Sequence, residues 1–344
     1  MANKTLPPGK LPPDMLRRLL ASYAKPGKGV VVGPGIGLDA AVLDLGGPAE
    51  FLVAKTDPIT FVAEDVGHYS IAINANDIAC MGGTPRWFLA SVILPEGTAT
   101  EETAEGIFRS IYEACEGIGV SVVGGHTEIT HGIDRPIVVG HMLGTVEKGA
   151  LITPAGARPG DSIILTKGIA IEAVSVIARI KSEELKKIYH EEFVERCRMF
   201  LKEPGVSVLK DARTAIAAGG VHCLHDPTEG GLSSGLYEIA EAAGVGITVR
   251  AGDIRVLPEA FELLGRYGLD PLGSIASGAL LITAGPDDSV KIIAALEREG
   301  INAYDIGSVT EKDGCVRIER SGTSADMPVF ERDEITKLFQ KPSQ

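Results

Sequence analysis

The chain has 344 residues, is 44% hydrophobic and 23% charged, and carries a formal net charge of −13. That length allows two ordinary domains with a large buried core. A chain this acidic gains no counterion-release energy from a phosphate backbone, which excludes DNA or RNA as the main partner.

No apolar run is long enough to span a bilayer, and the first fifteen residues lack the apolar segment of a signal peptide. The expectation is a cytoplasmic protein without a membrane partner. The five cysteines, Cys80, Cys115, Cys197, Cys223 and Cys315, form no C-x-x-C pair. That is neither a disulfide framework nor a zinc-site pattern.

In chain order, Val30–Val32, residues 40–45 and residues 51–54 read as short strands, with Gly46-Gly47-Pro48 as a turn between the last two. Gly33, Gly35 and Gly37 follow the first strand, and Asp57 stands 20 residues beyond Gly37. This imitates a dinucleotide fingerprint. A dinucleotide loop must open a helix whose N-terminus faces the pyrophosphate. Here the following chain is strand-like, so a Rossmann loop is excluded. Gly35 and Gly37 remain open to two readings, backbone contact with a phosphate or a plain loop.

Residues 68–81 read as a helix with an apolar stripe of Ile71, Ala75, Ile78 and Ala79, ended by Gly82-Gly83. Asn74 and Asp77 share another face of it. Asp77 needs a partner or a cation, because an unpaired buried carboxylate is costly. Residues 87–94 read as a strand, and residues 100–117 as an amphipathic helix capped by Thr100. Residues 120–123 read as a strand ending at Gly124-Gly125-His126-Thr127-Glu128, and residues 136–143 as another.

The Gly- and Pro-rich stretch 149–162 divides the chain into domains 1–150 and 151–344. The second half brings a strand at Ser162–Thr166 and strands near 247–250 and 279–283. Its helices are expected at 169–180, 186–201, 206–218, Gly231–Ala243 and 289–299. The fold class is α+β, with a mixed or antiparallel first sheet.

Four segments place acids beside glycines or at element ends: Asp39, Asp57, Asp77 and Glu128. Together they suit Mg²⁺ with a polyphosphate, since magnesium takes a few carboxylates and shares phosphate oxygens. His225-Asp226-Pro227-Thr228-Glu229-Gly230-Gly231 leads into the 231–243 helix, whose start could accept an anion. His222 and His225 read as ordinary polar residues rather than metal ligands.

These segments, in this order, resemble the aminoimidazole ribonucleotide synthetase-related (PurM-like) superfamily. The carriers are Asp39-Ala40-Ala41-Val42, Thr56-Asp57, the run from Asn76 to Pro85, Gly124-Gly125-His126-Thr127, and the run from Asp226 to Leu232. The resemblance spans about residues 30 to 315, and the last run resembles the HypE-like hydrogenase-maturation branch. It implies a two-domain chain with a C-terminal α/β domain, dimerising through its N-terminal sheets, with ATP and Mg²⁺ in a cleft near the interface. It also implies phosphoryl transfer to an amide or carbonyl oxygen of a small molecule or a maturation protein. Asp39, Asp57 and Asp77 would hold the metal. Asn76, Gly124, Gly125 and Thr127, with Gly35 and Gly37, would line the nucleotide pocket, and Asp226 and His126 would be catalytic.

The chain departs from the branch at Leu38, His126, Glu229 and Ser277, and its last eight residues contain no cysteine. A terminal thiol is therefore not expected to carry the substrate. Three alternatives stand beside the HypE-like reading: a non-catalytic nucleotide-binding scaffold, the purine-pathway cyclo-ligase itself, and a thiamine-monophosphate kinase-like enzyme.

Overall fold

The computed structural model describes residues 10–24, 26–311 and 314–339. The readings of the first nine and last five residues lie outside them. In the first half the elements are α1 (Pro13–Tyr23), β1 (Val30–Val32), β2 (Ala41–Leu43), β3 (Glu50–Ile59), α2 (Val66–Cys80), β4 (Thr84–Pro95), α3 (Glu101–Ile118), β5 (Ser121–Thr130) and β6 (Ile137–Glu147). The strands form one six-stranded sheet in the order β1-β2-β3-β6-β4-β5. All its pairs are antiparallel except β4 with β5, which α3 connects as a crossover.

Thr100 caps α3, accepting from the Thr103 N–H at 3.1 Å, with Glu101 and Glu102 in the first turn. Gly119 ends the helix in the left-handed conformation at φ 73°. Its stripe of Ile107, Ile111 and Cys115 is buried.

The sequence reading ended a strand at Gly124, but β5 runs through both glycines to Thr130. A Cβ on Gly125 would lie 2.1 Å from the Ala90 carbonyl oxygen. The glycine is there for the close approach of β4, not to stop the strand.

The second half holds β7 (Ser162–Thr166), α4 (Ile171–Ile180), α5 (Ser182–Leu185), α6 (Glu191–Arg198), α7 (Leu209–Ala218), β8 (Val221–His225), α8 (Gly231–Ala243), β9 (Gly246–Arg250), α9 (Pro258–Tyr267), β10 (Leu281–Ala284), α10 (Pro286–Arg298), β11 (Ala303–Thr310), β12 (Val316–Arg320) and β13 (Thr323–Asp326). Its seven-stranded sheet runs β13-β12-β9-β11-β7-β10-β8, antiparallel except for β12 beside β9. On β7, Ile163 and Leu165 join one buried cluster and Ile164 another, so this sheet is covered on both faces. The expected helix over 186–201 is broken into α6 and a 3-10 turn at Met199–Leu201. Among the described residues no helix is long and apolar enough to cross a membrane.

α2 is the pivot of the molecule. Nearly every residue on it is buried, and it packs on the first sheet and on α7 and β8 of the second half. A single hydrophobic cluster therefore runs from Ala40 to Ile335. Asn76, expected to line the nucleotide pocket, is used up in this junction. Its amide donates to the Val206 carbonyl at 2.9 Å and accepts from the Val208 N–H at 2.8 Å. Asn76 stitches the two halves together and does not line the cavity below.

Candidate active site

A cavity of about 380 Å³ opens where the two halves meet. β3 brings Lys55 and Asp57, α2 brings Asp77, and the loop before β2 brings Gly35, Gly37, Leu38 and Asp39. The end of β8 brings His225 and Asp226, and α8 brings Glu238. Residues 10–24 add Lys10 and Leu16, and residues 330–333 close one wall.

Local rules explain these placements. Lys55 and Asp57 alternate with Thr56 on β3 and so point to one face. Asn74 and Asp77, three apart on α2, both meet β3. The Asn74 side chain accepts from the Asp57 N–H at 2.9 Å, while Asp77 pairs with Lys55 at 3.0 Å. Gly37 sits at φ +70°, and a Cβ there would lie 2.5 Å from the Glu238 carbonyl oxygen. Only glycine lets this loop reach α8.

Asp39, Asp77 and Asp226 each offer an oxygen within 4.8 Å of the others, and all three residues are buried. The Oδ2 atoms of all three are buried and lack a hydrogen-bond partner. Hard carboxylate oxygens in that arrangement fit Mg²⁺, and a cation would relieve the cost of gathering them. Asp57 stands just outside the triad, with its Oδ2 3.2 Å from Lys55 Nζ.

The electrostatics follow from crowding. Burial, and then the neighbouring Asp226, Asp57 and Asp39, push the Asp77 carboxyl well above the usual range, although Lys55 pulls it down. Burial and Asp39 push Asp226 up to about 7, against the pull of His225 and Lys55. Burial lowers the tendency of Lys55 to hold its proton, yet Asp77 and Asp57 more than restore it, and its pKa is raised. The Cys80 thiol donates to Asp226 Oδ1 at 3.4 Å and is itself held well up by burial.

His225, read from the sequence as an ordinary polar residue, is buried. Its Nδ1 lies 2.7 Å from Asp39 Oδ1 and its Nε2 2.8 Å from Glu238 Oε2. Burial opposes its charge, but Asp39 and Glu238 raise its pKa well above the usual value. Glu238 is driven down to about 2 by Lys10 and His225, in spite of burial.

The remaining expected site residues lie elsewhere. Gly124, Gly125, His126 and Thr127 sit on β5, an exposed edge strand, and none lines the cavity. β6 and β4 separate β5 from β3, which puts it about 14 Å away at three strand spacings. The His126 side chain is 71% exposed and meets Glu128 at 3.3 Å.

Sequence reasoning missed Lys55, His225, Glu238, Lys10 and the wall at residues 330–333. Lys55 was legible, since it is two positions from Asp57 on a strand. Glu238 had no local signal. In the wall, Asp333 accepts from the Gly230 N–H at 2.7 Å and the Ile335 N–H at 2.9 Å, fixing the turn after Asp226.

Two family models match the chain: AIR synthase related protein, N-terminal domain, over residues 37–146, and its C-terminal domain, over residues 158–319. The chain belongs to the AIR synthase-related, PurM-like family. It is 31% identical to the carbamoyl dehydratase HypE of Cupriavidus necator, over 74% of this chain and 70% of that one. It is 30% identical to the selenide, water dikinase of Burkholderia pseudomallei, over 91% and 93%. The fold matches a crystal structure of the hydrogenase maturation protein HypE in complex with ATP, with a TM-score of 0.71 at 23% identity, over 92% and 95%.

Proposed function

We propose that this chain is an ATP- and Mg²⁺-dependent enzyme that activates an amide or carbonyl oxygen by phosphoryl transfer, in a HypE-like maturation role. One observation carries the reading: Asp39, Asp77 and Asp226 converge at the cavity between the halves with carboxylate oxygens within 4.8 Å of one another, and each keeps one buried oxygen without a hydrogen-bond partner. The relatives support the chemistry, since one is named a carbamoyl dehydratase, another a dikinase, and a third was solved with ATP.

In this reading the three aspartates hold the metal, with Asp57 beside them. Lys55 offsets part of their charge. Gly35 and Gly37 let the backbone come near the phosphates. With the metal held there, ATP would supply a phosphoryl group that makes the substrate oxygen a leaving group, with ADP released. The protein's part is positioning and electrostatic stabilisation.

Titration calorimetry with ATP, with and without Mg²⁺, tests the reading. Magnesium-dependent binding of about one ATP per chain supports it, and no binding in either condition overturns it. A second reading, nucleotide binding without turnover, is favoured by Leu38, an apolar side chain in the cavity wall next to Asp39. Phosphate release measured with candidate carbamoyl and amide substrates separates the two.

A homodimer through the first sheet is part of the proposal. Trp87, Val122, Val123 and Ile129 leave apolar surface exposed on β4 and β5. A second copy seated there is the route by which Gly124, Gly125, His126 and Thr127 would take part in a site. Light scattering of the protein and of Val123→Glu reads this directly.

A further inference from the structure

We infer that His225 is a positioning residue that locks Asp39 in its cation-binding orientation, through a strut running from Glu238 to the carboxylate. The inference rests on the cation site proposed above and goes beyond it, because His225 offers no ligand atom of its own to that site.

Both ring nitrogens of His225 are engaged, and both partners are carboxylates. Nδ1 donates to Asp39 Oδ1 at 2.7 Å, and Nε2 donates to Glu238 Oε2 at 2.8 Å. A carboxylate accepts and does not donate, so both nitrogens carry hydrogens. With Oδ1 tied, the other oxygen of Asp39 is the buried, unpartnered Oδ2, and Asp39 brings one carboxylate oxygen to within 4.8 Å of those of Asp77 and Asp226. Rotation of the Asp39 carboxylate would break a charge-assisted hydrogen bond between two buried residues, Asp39 at 7% and His225 at 3% exposure.

The strut is anchored at its far end. Glu238 belongs to α8, Lys10 Nζ lies 3.6 Å from its Oε1, and its backbone carbonyl packs against Gly37. Two residues from Gly37 is Asp39 itself. The loop carrying the ligand and the helix bracing it are thus held together at two points, one through backbone packing and one through His225. Outer partners of this kind orient metal-ligating groups.

An ordinary buried neutral histidine is satisfied by one acceptor and one donor. This one joins a member of the cation triad to a residue outside it, and that makes a specific prediction about which nitrogen matters. Asn at 225 keeps a donor near the Nδ1 position and loses the one near Nε2. Gln at 225 does the reverse.

The test is a Mn²⁺ titration of the full chain followed by electron paramagnetic resonance, with thermal melts of each variant. His225→Gln is expected to weaken Mn²⁺ binding roughly 10- to 100-fold. His225→Asn and Glu238→Met each break only the link between residue 225 and Glu238, and both are expected to weaken binding about threefold. A positioning role thus separates Asn from Gln at matched melting temperature, which a merely structural role would not. Equal loss in the two His225 variants, or none in either, overturns the inference while the cation site stands. If His225→Gln does not fold, Glu238→Met decides, and unchanged affinity there overturns the inference. No Mn²⁺ binding by the parent overturns the cation site and the inference with it.

Discussion

The cavity between the halves and the outer edge at β5 carry motifs that look equally purposeful in the sequence, and the fold treats them in opposite ways. Asp39, Asp77 and Asp226 come from elements far apart in the chain and end within 4.8 Å of one another. Gly124 to Thr127 sit close behind α3 in the chain and end on an exposed strand at the far edge of the sheet. Order along the chain is not order across a sheet. The crossover through α3 sends β5 outward past β4, while β6 returns to pair with β3. A motif's chemistry depends on which strand lies next to it, and pairing is decided by contacts distant in sequence.

The sharpest way to break this contrast is at Asp77 and its neighbour. Asp77→Asn removes one triad oxygen, and Mg²⁺-dependent ATP binding by calorimetry should weaken at least about 100-fold. The same variant should melt no lower than the parent, because it relieves a carboxylate held among three others. Asn76→Ala should do the opposite. It orphans the Val206 carbonyl and the Val208 N–H, at roughly 1–3 kcal/mol each, so denaturant unfolding should lose about 2–6 kcal/mol. Any change in ATP affinity should be secondary to that loss.

A third test uses pH. Burial, reinforced by Asp333, Glu229 and Asp226, pushes the Glu172 carboxyl from 4.5 up to about 8. Between those values the folded chain keeps a proton that the unfolded chain has released. Stability therefore falls as pH rises from about 4.5 to 8 through this group. Glu172→Gln should raise the melting temperature by a few degrees at pH 8 and leave it unchanged near pH 4.5, read by calorimetric scans at both.

The smallest effect is expected at the edge. His126→Ala, mostly solvent-exposed, should leave the melting temperature within about a degree, since surface substitutions of this kind rarely matter to stability. A loss of ATP turnover in that variant, abolished together with dimerisation in Val123→Glu, would bring the edge back into the site through a second copy.

How much was readable differs by element. The Thr100 cap with its stripe of Ile107, Ile111 and Cys115, the helix Gly231–Ala243 behind its glycines, and the hairpin about Gly46-Gly47-Pro48 all declare themselves locally. α9 had only a proline at its first position, and β11 to β13 had short, mixed patterns, and these were missed. Their form depends on what they pair with. The Asp77 requirement for a partner was legible from one buried acid in an apolar helix. That its partner is Lys55, and that Asn76 beside it serves the junction and not the ligand, was not.

The sequence by itself determined the segments with a strong local pattern, such as α3, α8 and the β2–β3 hairpin, that an acid on an apolar helix needs compensation, and which acids stand in family order. Those properties come from local periodicity, capping and the cost of burying charge, all of which act within a few residues. Only the tertiary structure decided that Asp226 joins Asp39, that His225 braces it against Glu238, and that Gly124 to Thr127 lie outside the cavity. Such outcomes follow from sheet order and from the packing of α2 between two halves, and both are settled by contacts between residues far apart in the chain.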